Sequence, residues 1–552
     1  MNNILKNVCS AQKLHGAEHA GSMEQREMEE RNSRYRCLKM KAAAAWVLAV
    51  LLSLLSVFGG EVPYVNEIQM SLAALVLLFP GNAFYAAARK QLCAGRIGLD
   101  TLIAFGASVA FLFSLFNTFF PDYWLRVGLH PYVYYEVAVL VVAVGLTGKV
   151  FRFLPEERHG ADRIARIFFP VLAGTAVAVF FIWIFWGGMT AVPHAFYAVV
   201  SVFIVACPCA LGLATPAAIM VGMGQAVKRG IWFKDAAAME RASKVNAVIL
   251  DKTGTLTEGK PQVAAIWLPA NSAFDENALL AAAAAVEMNA THPLANAIVQ
   301  AAFARKLDIP AAEAAQTEPG AGVYADVAGI GRVKVGKPDY CHVQLPDDLG
   351  EVWQIASIVA VSADDVPIGA FALADELKAD SAKAIGRLKA HHIDVYVMSG
   401  DHQGVVQYIA GKLGIEHAQG NMSPRDKAAA VAALKSEGKV VAMVGDGIND
   451  APALAAADVS FAMKGGADVA EHTASATLMQ HSVNQMVDAL LVSQATMKNI
   501  KQNLFFAFFY NTLGIPLAAF GLLSPVLAGA AMALSSISVL GNAMRLKRVK
   551  ID

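Results

Sequence analysis

The chain carries an aspartate whose neighbours suit it to attack a phosphoryl group. Residues 245–257 read V-N-A-V-I-L-D-K-T-G-T-L-T, and five of the six residues before Asp251 are apolar. This run predicts a strand buried on both faces of a parallel sheet, which delivers the carboxylate to the edge where such sheets bind ligands. The turn formed by Lys252, Thr253 and Gly254 can hold Mg²⁺ and a phosphoryl group against that carboxylate. The stretch therefore predicts a nucleophilic phosphoryl-transfer site.

Two later apolar runs also end in carboxylates, V-Y-V-M-S-G-D and V-V-A-M-V-G-D-G-I-N-D, and P-R-D-K lies between them. The polar side chains that these segments supply are Asp401, Lys427, Asp446, Asn449 and Asp450. Because parallel strands end at one sheet edge, we expect these groups close to Asp251, with Lys427 screening the transferred phosphoryl oxygens. The expected magnesium ligands are Asp251, Thr253, Asp446 and Asp450.

A second kind of chemistry is indicated by C-P-C-A-L-G-L-A-T-P, which begins at Cys207 inside an apolar stretch. Pro208 removes a helical hydrogen bond and is expected to kink this segment. The thiolates of Cys207 and Cys209 then flank freed backbone at membrane depth, where they suit a soft metal ion. A single cysteine in an apolar helix is usually inert packing, but two around a proline indicate an intramembrane metal site.

The string D-K-T-G-T-L-T resembles the phosphorylation motif of P-type ATPases, and the C-P-C narrows the resemblance to those that transport heavy metals. Y-N-T-L-G-I-P and M-A-L-S-S, near the end of the chain, resemble the copper(I)-translocating subgroup. The resemblance implies ATP and Mg²⁺ as cofactors and Cu⁺ as the transported ion, with Ag⁺ chemically equivalent. Zinc or cadmium pumps are expected to carry charged residues within 504–543, where this chain has none. The implied Cu⁺ ligands are Cys207, Cys209, Tyr510, Asn511, Met532 and Ser536.

Residues 262–370 resemble the nucleotide-binding domain that this family inserts into its phosphorylation domain. T-H-P-L follows an alanine-rich helical stretch, and P-G-A-G-V and V-G-K-P supply glycines that permit close approach to a nucleotide. Ala290-Thr291 stands where the family usually has Ser-Glu, and Lys337 stands where it has Asn, which predicts an altered nucleotide affinity. The implied nucleotide-binding residues are Glu287, His292, Gly320, Gly322 and Gly336.

Composition indicates a membrane protein, since the mean hydropathy is +0.46 and 56% of the 552 residues are hydrophobic. Eight apolar runs are long enough to span a bilayer, near 42–59, 68–87, 99–119, 133–151, 167–187, 194–215, 504–522 and 525–543. Lys and Arg cluster on alternate connections, which predicts that both termini are cytoplasmic. The membrane expected is the plasma (inner) membrane. A net charge of zero gives no indication of a nucleic-acid partner. Only two of the six cysteines are close in sequence, so no disulfide framework is expected.

We therefore predict a polytopic α-helical membrane protein of eight spans with a cytoplasmic α/β haloacid-dehalogenase-like phosphorylation domain carrying an inserted α+β nucleotide-binding domain. The predicted boundaries are a polar N-terminal segment at 1–40, spans one to four at 41–151, a short connection at 152–166, spans five and six at 167–219, the phosphorylation domain at 220–261 and 371–500, the nucleotide-binding domain at 262–370, spans seven and eight at 501–545 and a cytoplasmic tail at 546–552.

The chain departs from the family in the connection after the fourth predicted span. Relatives place an actuator domain there, whose T-G-E loop positions the water that hydrolyses the aspartyl phosphate. Here the connection 152–166 has 15 residues, too few to bury a core, and no T-G-E occurs in the sequence. The N-terminal segment also has no C-x-x-C metal-binding module. At the family positions for metal uptake, Leu99 and Arg152 stand where relatives have Met and Glu, whereas Asp162 matches the family's Asp, and Glu136 matches a glutamate near the release side.

We expect ATP-driven Cu⁺ export through an aspartyl phosphate, with dephosphorylation and coupling impaired by the missing actuator domain. The alternative from another class is a non-transporting membrane metal-binding or regulatory protein, which could pair with a full-length pump. A plain phosphatase is disfavoured, because Thr253 stands where such an enzyme has an aspartate acid/base. Besides copper, the expected partners are the lipid bilayer and a cytoplasmic copper chaperone.

Overall fold

A computed structural model describes residues 32–59, 62–152, 160–206, 210–270, 272–288, 290, 292–346, 348–445, 450–464 and 474–549. The chain divides into two compact units. A helical unit comprises 1–225, 235–237 and 495–552, and an α/β unit comprises 226–234 and 238–494.

Helices make up the described part of the helical unit. They are α1 (Asn32–Phe58), α2 (Val65–Leu78), α3 (Asn82–Cys93), α4 (Leu99–Phe119), α5 (Pro121–Arg126), α6 (Tyr135–Arg152), α7 (Gly160–Gly187), α8 (Val192–Val205) and α9 (Leu211–Lys228). The short helix α10 (Ala236–Ala242) begins in this unit and continues into the α/β unit. Two more helices follow late in the chain, α18 (Val483–Ala519) and α19 (Pro525–Arg545). Their core is built from small and apolar residues such as Ala45, Ala107 and Leu146, which allow close helix packing.

Several helices are long and apolar enough to cross a bilayer. Four such stretches occur among the described residues, Asn32–Phe58, Leu99–Phe119, Arg166–Val205 and Leu527–Arg548. A fifth results if α2 and α3, which meet at a 55° bend, count as one broken span. Helical spans are therefore present as predicted, whereas the count of eight stays a prediction.

The first sheet of the α/β unit has seven strands. They are β1 (Ile231–Phe233), β2 (Ala247–Asp251), β9 (Asp394–Met398), β10 (His417–Gln419), β11 (Val441–Gly445), β12 (Val459–Met463) and β13 (Ala476–Leu478). Their spatial order is β1-β13-β12-β11-β2-β9-β10, parallel throughout except for β1. Strands β2, β11 and β12 are buried along their whole length, as expected of central parallel strands covered on both faces.

Helices flank these parallel strands and connect them, as parallel pairing requires. They are α14 (Ser381–Ala390), α15 (Gln403–Leu413), α16 (Pro424–Ser436) and α17 (Ala451–Ala456). Helix α16 begins at a capping box, in which the Ser423 hydroxyl accepts from the Asp426 backbone N–H and the Asp426 carboxylate accepts from the Ser423 N–H.

The second sheet is antiparallel and has six strands in the order β3-β8-β7-β6-β5-β4. They are β3 (Thr257–Trp267), β4 (Ala312–Glu318), β5 (Gly322–Val327), β6 (Gly331–Gly336), β7 (Ser357–Ala363) and β8 (Val366–Leu377). Helices α11 (Glu276–Glu287), α12 (Pro293–Ala304) and α13 (Glu351–Ile355) accompany it. Because it lies in sequence between β2 and β9, this α+β element is an insertion into the first sheet, as predicted.

Candidate active site

Strand register brings the predicted site residues to one edge of the first sheet. Asp251, the last residue of β2, pairs with Met398 of β9, and Leu250 pairs with Val444 of β11. All three strands therefore end at the same level. Asp401 follows β9 by three residues, and Asp446 and Asn449 follow β11 but lie outside the described residues.

Asp251 is buried against one ammonium group. Lys427 Nζ, on α16, lies 2.5 Å from Asp251 Oδ1 and 2.8 Å from Asp450 Oδ1. All three residues are at most 7% exposed. Burial alone would lower the pKa of Lys427, but the charges of Asp251 and Asp450 outweigh it and raise that pKa above its ordinary value. Lys427 is therefore protonated, and its charge favours the ionised form of Asp251.

Two carboxylates facing one ammonium leave a net negative charge, which fits a divalent cation with oxygen ligands. The Asp450 side chain also packs closely against the backbone of Gly445, because a Cβ at Gly445 would overlap Asp450 Oδ2 and lie 2.8 Å from Asp450 Cγ. The oxygen atoms of Asp251, Asp450 and the exposed Thr253 are chemically suited to Mg²⁺, and their role as ligands stays a prediction. Within the described residues no group of three or more His, Cys, Asp or Glu side chains suited to a metal occurs.

The residues after Asp251 form a tight loop. Gly254 adopts φ 69°, a left-handed conformation that glycine tolerates without strain. Lys252 is buried and forms an ion pair with the half-buried Asp401. Thr255 is fully buried, and its Oγ1 has no hydrogen-bond partner among the described residues. The loop thus carries polar groups inside the fold, directly beside the nucleophile.

Two residues that hold this loop were missed by the sequence reasoning. Asp375, near the end of β8, accepts a hydrogen bond from the Thr257 hydroxyl and another from the Lys260 N–H at 3.1 Å. Lys378, just after β8, donates to the Gly254 carbonyl at 2.6 Å. The signal was present in F-A-L-A-D-E-L-K, an apolar strand ending in charged residues, as in the strands that end at Asp251 and Asp401.

The predicted nucleotide residues lie on the second sheet and its helices. Glu287 ends α11, and burial raises its pKa to about 7. His292 caps α12, where its Nδ1 accepts from the Leu294 N–H at 3.3 Å. Gly322 and Gly336 pair across β5 and β6, and a Cβ on Gly322 would lie 2.8 Å from Gly336 Cα. Gly320 precedes them in a turn at φ 80°.

A cavity of about 1030 Å³ lies beside the loop that follows Asp251 (Lys252–Leu256), which is called the phosphorylation loop below. Lys252, Thr253 and Asp401 line it at the first sheet, and Pro293 and Leu294 line it at the start of α12. The cavity is large enough for a nucleotide. Its lining includes the residues next to His292 but not the predicted Glu287, Gly320, Gly322 or Gly336.

The predicted copper ligands belong to the helical unit, where Cys207 and Cys209 lie outside the described residues. Asn511 is buried, and its Nδ2 is 3.5 Å from the carbonyl oxygen of Ala206, the residue before Cys207. Tyr510 shares a 3.0 Å hydrogen bond with Ser538. Met532 and Ser536 are buried one turn apart on α19, and the Ser536 hydroxyl donates to the Met532 carbonyl at 3.1 Å.

The fold and site define a protein that combines apolar helices with a haloacid-dehalogenase-like domain. Residues 245–458 match the haloacid dehalogenase-like hydrolases. A solved zinc-transporting PIB-type ATPase in its E2.Pi state superposes with a TM-score of 0.77 at 26% identity, covering 92% of this chain and 99% of that one. These matches confirm the predicted fold class.

Sequence relatives indicate which kind of ATPase this chain resembles. A probable cation-transporting ATPase of Haemophilus influenzae is 59% identical over 392 residues, covering 71% of this chain and 54% of that protein. A copper-exporting P-type ATPase of Bacillus subtilis is 43% identical over 396 residues, covering 71% and 49%. A probable copper-transporting ATPase of Synechococcus elongatus is 33% identical over 669 residues, covering 95% and 89%. The chain therefore belongs to the heavy-metal-transporting P-type ATPases, with copper-transporting relatives. It spans about half the length of the first two of these relatives.

Proposed function

We propose that this protein exports copper(I), or the chemically equivalent silver(I), across a membrane at the expense of ATP through a phosphorylated Asp251. The observation that carries the proposal is the buried Asp251–Lys427–Asp450 cluster at the end of β2. An ionised, buried carboxylate beside a cavity of nucleotide size is suited to attack a terminal phosphate. The copper-exporting relative from Bacillus subtilis and a silver-exporting one from Salmonella typhimurium, 43% identical, support the choice of ion.

In the proposed reaction an Asp251 oxygen attacks the γ-phosphorus of ATP in line, and the bond to the ADP oxygen breaks. Lys427 bonds Asp251 beforehand, so it is placed to offset the charge that develops on the phosphoryl oxygens. Asp251, Thr253, Asp446 and Asp450 are the residues proposed to hold Mg²⁺, which would supply positive charge against the phosphate oxygens. Lys252 and Asp401 orient the loop through their ion pair.

For the transported ion we propose the thiolates of Cys207 and Cys209, with Tyr510, Asn511, Met532 and Ser536 nearby. Soft sulfur ligands favour a monovalent copper or silver ion over hard cations. Asn511 contacts the residue before Cys207, which supports its place in this set. Delivery by a cytoplasmic copper chaperone and insertion in the inner membrane with both termini cytoplasmic belong to the same proposal.

We further propose that the cycle stalls after phosphorylation. Helix α6 ends at Arg152 and α7 begins at Gly160, so only seven residues connect them, too few for an actuator domain. The alignment with the Synechococcus relative extends over 669 positions, more than the 552 residues of this chain, so this chain lacks segments that the relative has. The same observations favour a second candidate, a non-transporting metal-binding or regulatory protein that associates with a full-length pump.

Phosphorylation of membranes containing the expressed chain tests the proposal. With labelled ATP, Mg²⁺ and Cu⁺, we expect an acid-stable, hydroxylamine-sensitive label on the wild type and none on Asp251→Asn. The double variant Cys207→Ala/Cys209→Ala should lose the Cu⁺ dependence, and Cys341→Ala, which replaces a buried cysteine of the α/β unit, should keep it. Label that persists in Asp251→Asn would contradict the assignment of the nucleophile. Label that ignores Cu⁺ in the wild type would instead favour the non-transporting candidate.

A further inference from the structure

Lys378 lies between the phosphorylation loop and the start of α18. Its ammonium donates to the Gly254 carbonyl at 2.6 Å and to the His481 carbonyl at 2.8 Å. The residue is 8% exposed. Its backbone is also held to the loop, because its N–H donates to the Leu256 carbonyl at 3.0 Å. A buried ammonium retains its acceptors, since losing one would leave a desolvated charge poorly compensated. One side chain therefore ties the loop after Asp251 to the residues before α18.

Both carbonyls belong to residues in the left-handed backbone region. Gly254 has φ 69° and His481 has φ 50°. This conformation is costly for a residue with a side chain, so His481 keeps it only where its surroundings hold it there. The bond from Lys378 is one such restraint. The orientation of the His481 carbonyl is thus linked to the position of the Lys378 ammonium.

Helix α14 begins three residues after Lys378. Its N-cap residue Asp380 and its residue Arg387 bond the first turns of α18 and the residue before it. Asp380 accepts from the Ser482 hydroxyl and, at 3.5 Å, from the Asn484 N–H. Arg387 donates to Asn484 Oδ1 at 2.6 Å and pairs with Asp488 Oδ1 at 2.7 Å. The Arg387 guanidinium thus bonds two residues four positions apart on α18, and its contact with the Asp488 carboxylate is charge-assisted. Four contacts therefore fasten the segment from Lys378 to Arg387 to the start of α18.

We propose that Lys378 is a positioning residue that transmits the state of the phosphorylation loop to α18, the helix that carries Tyr510 and Asn511. This proposal rests on the proposed phosphorylation of Asp251 and adds the residue that couples it to α18. When a phosphoryl group repositions the loop, the Gly254 carbonyl moves, and the ammonium keeps both acceptors only if His481 follows. By thermodynamic reciprocity, the coupling free energy is the same in both directions, so a change at α18 also biases the loop.

Hydrogen exchange of the full chain in detergent tests this coupling without copper or ATP. Beryllium fluoride with Mg²⁺ serves as the probe, because it mimics a phosphoryl group on an aspartate. We expect exchange in the wild type to slow by roughly threefold or more in peptides covering 252–257 and in those covering 481–494. Lys378→Met should keep the first response and lose the second. Lys378→Arg, which retains the charge and donors, should restore the second.

Lys389→Met is the matched control. Lys389 also donates to the carbonyl of a left-handed residue, Gly414 at φ 67°, but it is exposed and touches neither the loop nor α18. This variant should respond like the wild type at both segments. The coupling role is overturned if Lys378→Met keeps the response at 481–494. It is also overturned if that variant loses both responses, since Lys378 would then only shape the loop. A wild-type response confined to 252–257 contradicts this proposal alone, whereas no response at either segment contradicts the proposed phosphorylation as well.

Discussion

Two buried carboxyl groups of the α/β unit show how neighbours decide protonation. Asp251 is buried beside the ammonium of Lys427, which favours its ionised, nucleophilic form. Glu287 is also buried, but burial dominates there and raises its pKa to about 7. At neutral pH Glu287 is therefore present in both its ionised and its protonated form. The neutral form can donate a hydrogen bond, which suits a residue proposed to contact a nucleotide base.

The raised pKa of Glu287 predicts a pH-dependent stability. Between the ordinary value of 4.5 and about 7 the folded chain binds more protons than the unfolded chain, so stability falls as pH rises through this window. The total loss is about 3 kcal/mol, from 1.36 kcal/mol for each pKa unit. Denaturant unfolding in detergent at several pH values should show this slope in the wild type and a flatter one in Glu287→Gln.

The control for this measurement lies on the same helix. Glu276, in the first turn of α11, is exposed and pairs only weakly with Arg305 at 3.4 Å. Glu276→Gln should therefore retain the wild-type slope. If Glu287→Gln also retained it, the carboxyl of Glu287 would not be the titrating group.

Helices α9 and α18 pack closely where Gly222 of α9 faces Thr496 of α18. A Cβ on Gly222 would overlap Thr496 Oγ1 and lie 2.8 Å from its Cγ2 and 3.1 Å from its Cβ. Thr496 is fully buried and β-branched, so its side chain has little freedom to move aside. Asn503 adds a hydrogen bond to the Ala214 carbonyl at 2.9 Å between the same two helices. Steric fit and buried amides thus set the spacing of this pair.

Gly222→Ala should destabilise the helical unit by roughly 1–3 kcal/mol through overpacking against Thr496. Gly224→Ala makes the same chemical change two residues later on α9, where no atom lies within 4 Å of the added Cβ. This control should be neutral or stabilising by about 1 kcal/mol, since alanine favours a helix over glycine. Thermal unfolding in detergent compares the two. Equal midpoints for both variants would contradict the packing argument.

At the scale of the whole molecule, Asp251, Lys427 and Asp450, which we propose take part in forming an aspartyl phosphate, lie together. The seven residues between α6 and α7 are too few for the actuator domain that we propose is missing. Lys427, Asp450 and the loop after Asp251 all lie within the α/β unit. Formation and breakdown of the phosphoenzyme therefore depend on different parts of a P-type ATPase.

A chase experiment follows from this separation. After labelling with ATP and Cu⁺, unlabelled ATP should leave most of the phosphoenzyme intact, because the proposed stalled cycle lacks the actuator loop that would position the attacking water. Added ADP should remove the label rapidly by reversing the transfer. The measurement is the decay of acid-stable label with and without ADP. Rapid decay without ADP would contradict the stalled cycle and favour complete turnover.

The sequence by itself determined the fold class, the family and the place of the candidate nucleophile. A run of apolar residues ending in D-K-T-G-T is local information, so the strand and the loop after Asp251 could be predicted from neighbours in the chain. The roles of the individual site residues stay predictions, as does the count of eight spans.

Only the tertiary structure decided which distant groups meet. Lys427 reaches Asp251 across 176 residues, and Lys378 bonds the carbonyls of Gly254 and His481 across 124 and 103 residues. No local pattern encodes such contacts, because they depend on which strand edges and helix faces pack together. The clash that a side chain on Gly222 would meet is likewise invisible in the sequence. Hydrophobic periodicity specifies the elements, and the packing of their surfaces specifies the site.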